Sequence, residues 1–216
     1  MAKDWLEWHR HYDTPNSSIA LRLAVVQRDL RRALAEAPHG EDGIINLISI
    51  CAGEGRDVLP VLAEQDGGRG VNAILVELDA TMSQRARTAV ADLGLSGVEV
   101  RTADAGTTDT YSDLPRAQVL TVCSVFGNIT EADVRRTVAT LPALLAPDGI
   151  VLWTRAGRAG HDPSLEVRRV FLQHGFTEMS LTRTADDTFR IGMHRLTDRP
   201  ADIRPPQPGT RMFSFV

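Results

Sequence analysis

From Asn46 to Leu59 the chain reads Asn-Leu-Ile-Ser-Ile-Cys-Ala-Gly-Glu-Gly-Arg-Asp-Val-Leu, and few folds can use residues in that order. An apolar run of strand length ends in two glycines one residue apart, and a helix-like pattern follows at once. Strand, tight turn and helix in succession open a βαβ unit, whose parallel strands need a crossover. Gly53 and Gly55 let the backbone turn sharply. They also let a ligand approach main-chain N–H groups with no Cβ in the way. A nucleotide-type cofactor is the natural occupant. A dinucleotide fingerprint would carry a third glycine at position 58, where this chain has Val58, and the Gly-Lys-Ser/Thr of a phosphate loop is absent.

The next two apolar runs extend the pattern. Val71 to Glu77 reads as a second strand ending in a carboxylate, which can accept hydrogen bonds from both hydroxyls of a ribose. Val98 to Arg101 reads as a third, followed by Thr102-Ala103-Asp104-Ala105-Gly106, an acid placed where an adenine amino group could be bound. Evenly spaced strand ends, each with a ligand-type residue, say more together than any one of them.

Four segments now carry a resemblance to the class I S-adenosylmethionine-dependent methyltransferases. They are Cys51-Ala-Gly-Glu-Gly-Arg-Asp57, Val76-Glu-Leu-Asp79, Ala103-Asp-Ala105, and Leu144-Leu-Ala-Pro-Asp-Gly149 before a fifth strand. The resemblance covers residues 44 to 195. It implies a Rossmann-like α/β fold: a seven-stranded sheet, mostly parallel with a C-terminal antiparallel hairpin, helices on both faces and an N-terminal helical lid. It implies S-adenosylmethionine as cofactor, held by Ala52, Gly53, Gly55, Asp57, Glu77, Leu78, Asp104, Ala105, Cys123 and Phe126. One position departs. The family usually has Asp or Glu at the first position of the glycine motif, and this chain has Cys51. The implied activity is methyl transfer to oxygen or nitrogen of a small molecule. A cofactor-binding sensor or scaffold without transferase activity is the alternative that Cys51 favours. A dinucleotide oxidoreductase is a third, disfavoured by Val58 and the final hairpin.

From residue 44 the chain alternates strand and helix. Strands are expected near 45–50, 72–77, 97–101, 118–123, 150–155, 176–183 and 188–195, and helices near 56–65, 80–93, 131–145 and 163–174. Only Asp186-Asp187 and their neighbours part the last two strands, so these form a hairpin. Residues 1–43 are read as N-terminal helices, 44–197 as the cofactor-binding core, and 198–216 as a proline-rich tail whose terminal aromatics pack on the core. Within the first region Trp5, Trp8, His9 and Tyr12 share one face of an expected helix over 1–14, and a second helix is expected over 17–37 with Leu21, Val25, Leu30 and Leu34 inward.

With 216 residues, 43% of them hydrophobic, the chain can fill one full core. A net charge of -4 with arginines interleaved among acids gives no nucleic-acid surface. Two cysteines in apolar contexts read as reduced thiols, and no apolar run approaches membrane-span length. A cytoplasmic protein, monomer or homodimer, with no metal is expected, and the resemblance implies a small-molecule methyl acceptor as its partner.

Residues just past strand ends are the further candidates. Asn128 could orient an acceptor atom or cap the helix at Glu131. Arg155 could grip an acceptor's carboxylate or phosphate, or pair with a nearby acid. On the N-terminal face Trp5 is assigned to substrate, and His9 and Tyr12 to catalysis, with His9 the better base by intrinsic pKa. The same aromatic face could instead be plain core.

Overall fold

The computed structural model describes residues 10–64, 68, 70–157, 160–198 and 207–216. Their backbone is organised by one sheet of seven strands: β1 (Ile45–Ile50), β2 (Val71–Glu77), β3 (Val98–Thr102), β4 (Ala117–Val122), β5 (Leu145–Ala156), β6 (Phe176–Arg183) and β7 (Phe189–Leu196). The order across the sheet is β3-β2-β1-β4-β5-β7-β6, and β7 alone runs antiparallel to its neighbours. The chain lays β1, β2 and β3 outward in one direction, then returns to place β4 on the other side of β1. That reversal opens a crevice outside the carboxyl ends of β1 and β4, where open α/β sheets bind ligands.

The central strands are buried on both faces, which is why they read as continuous apolar runs rather than alternating ones. Period two divides them between two cores. Leu47 of β1 packs with Val26 and Leu30 of α1 (Ser18–Glu36) and with Leu59 and Leu62 of α2 (Leu59–Glu64). Ile48 and Ile50 pack instead with Val134, Val138 and Leu141 of α4 (Glu131–Leu144) and with Val167 and Phe171 of α5 (Ser164–Gln173). The remaining helix, α3 (Ala80–Asp92), sits against β2 and β3. Short polar residues start these helices. Ser17, Asp79 and Thr130 accept backbone N–H groups at the beginnings of α1, α3 and α4, each worth about 1 kcal/mol.

Four local expectations change. The helix expected over 56–65 begins only at Leu59, because the glycine turn continues through Val58: the N–H groups of Val58 and Leu59 both donate to the Gly55 carbonyl, at 3.0 and 2.9 Å. Residues 10–13 form a single 3₁₀ turn, and the rest of the expected first helix, with Trp5, Trp8 and His9, lies outside the described residues. The β5 strand starts at Leu145 rather than 150. It absorbs Pro147-Asp148-Gly149 as an irregularity in which Asp148 takes φ +59°. The face of α1 buries Arg22 and Val26 where Leu21 and Val25 were expected, and keeps Leu30 and Leu34.

Candidate active site

Two strand ends at the crevice carry non-glycine residues in the left-handed region. Cys51, just past β1, has φ +56°, and Ser124, two residues past β4, has φ +61°. Such backbone costs of order 1–3 kcal/mol and persists where surrounding structure over-determines it. At Cys51 the constraint is visible on its C-terminal side. The Ala52 N–H donates to the Val76 carbonyl at 2.9 Å, and the Gly53 N–H donates to Oε2 of Glu77 at 2.8 Å. Ser124 is held by three bonds: its N–H to Oγ1 of Thr154, its carbonyl from Nδ2 of Asn128, and its Oγ from Nη1 of Arg22.

Between these strand ends lies a cavity of about 300 Å³, at the lower end of the range for small-ligand sites. Ala52 and Gly53 from β1, Glu77 and Leu78 from β2, Asp104 and Ala105 from β3, and Cys123 and Ser124 from β4 line it. Leu78 is 65% exposed at the lip. The carboxylate of Glu77 is already oriented. Its Oε1 accepts from the Asp79 N–H at 2.9 Å and its Oε2 from Gly53. A carboxylate has about four acceptor positions, so two remain for the cavity. Asp104 is similarly held, by the Gly106 N–H at 2.8 Å and Nη2 of Arg211 at 2.9 Å.

The far end of the cavity is organised by a residue that sequence reasoning missed. Arg22, on α1, is fully buried. Its Nη2 donates to the hydroxyl of Tyr12 and lies 3.6 Å from Oδ1 of Asp57, its Nη1 reaches Ser124, and its guanidinium sits 5.6 Å from the Tyr12 ring centroid. Oδ1 of Asp57 is itself buried without a hydrogen bond. The signal available was positional: Arg22 precedes Val26, Leu30 and Leu34 at four-residue intervals, on the helix's inward stripe. Burial opposes the charge of Arg22, but Asp57, with Tyr12 and Cys123, outweighs it, and the guanidinium titrates above its ordinary range.

Burial pushes the Tyr12 phenol far above its usual pKa. It does the same to both thiols: burial first, then the charges of Glu77 and Asp104 for Cys51, and burial first, then Asp57 for Cys123. All three side chains are neutral at pH 7, so neither thiol is a nucleophile. Beside Tyr12, Arg56 bonds Glu54 and Asp13 and stands 5.3 Å from the same ring.

Of the residues singled out from the sequence, Tyr12, Ala52, Gly53, Asp57, Glu77, Leu78, Asp104, Ala105 and Cys123 come together here. Four do not. Gly55 faces the core, where a Cβ would lie 2.7 Å from Cδ1 of Leu59 and 2.9 Å from Cδ2 of Leu75. Phe126 is fully buried between Trp153 and Phe171, with centroids at 6.1 and 6.2 Å. The guanidinium of Arg155 turns to the Phe126 carbonyl and ties the loop after β4 to β5. Asn128 spends its side chain on the Ser124 carbonyl, and its own carbonyl accepts the Val216 N–H. His9 and Trp5 lie outside the described residues.

Two comparisons bear on identity. A protein-family model described as "Putative methyltransferase" matches residues 16–183. No curated protein matches the sequence. Among solved structures, magnesium protoporphyrin IX methyltransferase from Synechocystis PCC 6803, crystallised with bound S-adenosylmethionine, superposes with a TM-score of 0.68 at 13% identity, over 91% of this chain and 92% of that one. An O-methyltransferase family protein from Burkholderia thailandensis gives 0.65 at 14% identity, over 83% and 58%. The CurJ carbon methyltransferase gives 0.62 at 15% identity, over 88% and 58%. At these identities the likeness shows the fold, and the family model, spanning most of the chain, shows the family: the protein belongs to the S-adenosylmethionine-dependent methyltransferases.

Proposed function

We propose that the chain transfers a methyl group from S-adenosylmethionine to an oxygen or nitrogen of a small molecule. The observation that supports this most is the convergence of Gly53, Glu77 and Asp104, from three consecutive strand ends, on one cavity. The residues present fit the cofactor. Glu77 keeps two acceptor positions for ribose hydroxyls, and Asp104 offers a carboxylate edge to an adenine amine, with Ala105 beside it. Gly53, Cys123 and Ser124 leave room for the amino-acid end.

Asp57 answers the departure at Cys51. With a neutral thiol at the motif's first position, the carboxylate of Asp57, which lines the cavity, is the acceptor for the cofactor's ammonium. Arg22, behind it, holds the carboxylate in place.

When bound, S-adenosylmethionine supplies a methyl group on a positively charged sulfur. The protein's task is alignment and exclusion of water. The ring of Tyr12 walls that end of the cavity, and its raised pKa makes it a neutral positioning group rather than a base. The proton-acceptor role is assigned to His9, on the intrinsic pKa of imidazole. The cavity volume and the net charge of -4 favour a small acceptor over a nucleic acid.

The test is calorimetry with S-adenosylmethionine and with NAD, followed by acceptor-dependent release of S-adenosylhomocysteine across hydroxyl- and amine-bearing small molecules. Binding of NAD in place of S-adenosylmethionine would overturn the cofactor assignment. Turnover only with a carbon or macromolecular acceptor would overturn the acceptor class.

A further inference from the structure

Residues 211–215 supply a wall that the glycine motif and strand ends do not. Arg211, Phe213, Ser214 and Phe215 line the cavity beside Asp104 and Ser124. This strap is pinned at two places. Near Arg211 it bridges Thr107, and the Met212 N–H donates to the Gly106 carbonyl at 2.8 Å. At Phe215 it bridges Ile129, and the Val216 N–H donates to Asn128 at 3.0 Å. It therefore runs from the loop after β3 to the loop after β4, and β2 and β1 lie between those strands in the sheet.

The approach is backbone to backbone. A Cβ on Gly106 would sit 2.4 Å from the Phe213 carbonyl oxygen and 3.2 Å from Nη1 of Arg211. Gly106 has no positive φ to explain it, so the residue there serves the close passage of the strap. Asp104 lies two residues earlier, with Oδ2 bonded to Arg211. That pair is about half exposed on both sides, and such pairs contribute little stability. Phe213 is buried, while Phe215 is 44% exposed with its ring edge-on to Phe213 at 5.7 Å.

We propose that the 211–215 strap is the purine-binding wall of the cofactor site. Phe213 and Phe215 present aromatic surface to a flat base, and Arg211 positions Asp104 so that its remaining lone pairs meet an exocyclic amine. Aromatic surface and an acceptor-only carboxylate on one side of a cavity match the π-face and the amine edge of adenine. The proposal rests on the cofactor reading above.

The experiment titrates the full chain with two probes, S-adenosylhomocysteine and 5′-methylthioadenosine, which shares the nucleoside but lacks the amino-acid end. Phe215→Ala removes a half-exposed ring and should melt within a few degrees of the parent. Both probes should weaken by the same factor, about 5-fold or more, as expected for a lost base–aromatic stack. Gly106→Ala, which pushes the strap off its seat, should weaken both further. Unchanged affinity for both probes in Phe215→Ala and Gly106→Ala overturns the proposal, as does weakening confined to S-adenosylhomocysteine. If the parent binds neither probe, the cofactor reading itself falls and takes the strap with it.

Discussion

Replacing Glu77 with Gln tests the site at its most ordered carboxylate. In the structure both oxygens already accept a backbone N–H, Oε1 from Asp79 and Oε2 from Gly53, at 2.9 and 2.8 Å. A glutamine amide keeps one acceptor oxygen and turns the other into a donor, which must face one of those two N–H groups or swing into the cavity. Two losses follow. The cofactor loses a hydrogen bond to a charged group, worth about 1.5–3 kcal/mol, or roughly 10- to 150-fold in dissociation constant at 1.4 kcal/mol per decade. The fold loses one brace of the glycine turn, about 1 kcal/mol, or a fall of about 2–4 °C in Tm for a domain near this size. Calorimetry with S-adenosylhomocysteine and a melting curve on one preparation read both. A dissociation constant within twofold of the parent, together with a lowered Tm, would show that Glu77 only holds the turn, and the ribose assignment would be wrong.

Other outcomes follow from single features. Gly55→Ala should cost about 2–4 kcal/mol, from left-handed backbone at φ +77° and overpacking against Leu59 and Leu75; the affinity of whatever remains folded should be unchanged, since no Cβ there enters the cavity. Arg22→Met leaves the buried carboxylate of Asp57 without its counter-charge and should cost about 3 kcal/mol; adding Asp57→Asn should recover most of the stability in a denaturant titration but not the cofactor affinity. Burial lowers the pKa of His194 to about 4 from 6.5, so the unfolded chain binds its proton first as pH falls. Stability from this group is full above pH 6.5 and declines toward pH 4 by up to about 3 kcal/mol, and His194→Gln, which can still accept from Nε1 of Trp153, should flatten that part of the pH profile. His9→Ala should slow the chemical step by roughly 10²–10⁴-fold in a single-turnover assay if it is the base, with cofactor affinity unmoved.

The sheet is legible in the sequence because each strand's pattern is short-range. Val71–Glu77 and Ala117–Val122 are apolar runs flanked by turn residues, and the close spacing around Asp186-Asp187 leaves β6 and β7 no option but a hairpin. The strand-end residues Glu77 and Asp104 follow directly, since a parallel sheet brings those ends to one edge. What escapes is whatever depends on direction. Phe126 and Gly55 lie within the right loops, but one ring turns inward to Trp153 and Phe171, and one absent side chain faces Leu59. Arg155 is consumed by a backbone carbonyl 29 residues away in the sequence, that of Phe126. The strap escapes for another reason. The tail's prolines all precede it and its own five residues carry no strand pattern, yet two isolated bridges and a passage over Gly106 suffice to seat it.

Arg22 and Cys51 are best understood together. A buried guanidinium on an apolar helix face is costly unless an anion lies close and its donors are used, and here Asp57, Ser124 and Tyr12 surround it. The usual acidic residue of the glycine motif would place a second carboxylate at position 51, next to Glu77 and Asp104, whose charges already raise the Cys51 thiol. A neutral thiol avoids that repulsion. The negative charge sits instead at Asp57, on the opposite side of Gly53 in the chain, where a buried cation offsets it. In the function proposed above, charge complementarity at the amino-acid end of the cofactor is thereby moved from the strand to the turn and tied to α1. The exchange Cys51→Asp should therefore set a third carboxylate against Glu77 and Asp104 and weaken rather than improve cofactor binding in calorimetry, unless Asp57 is neutralised in the same chain.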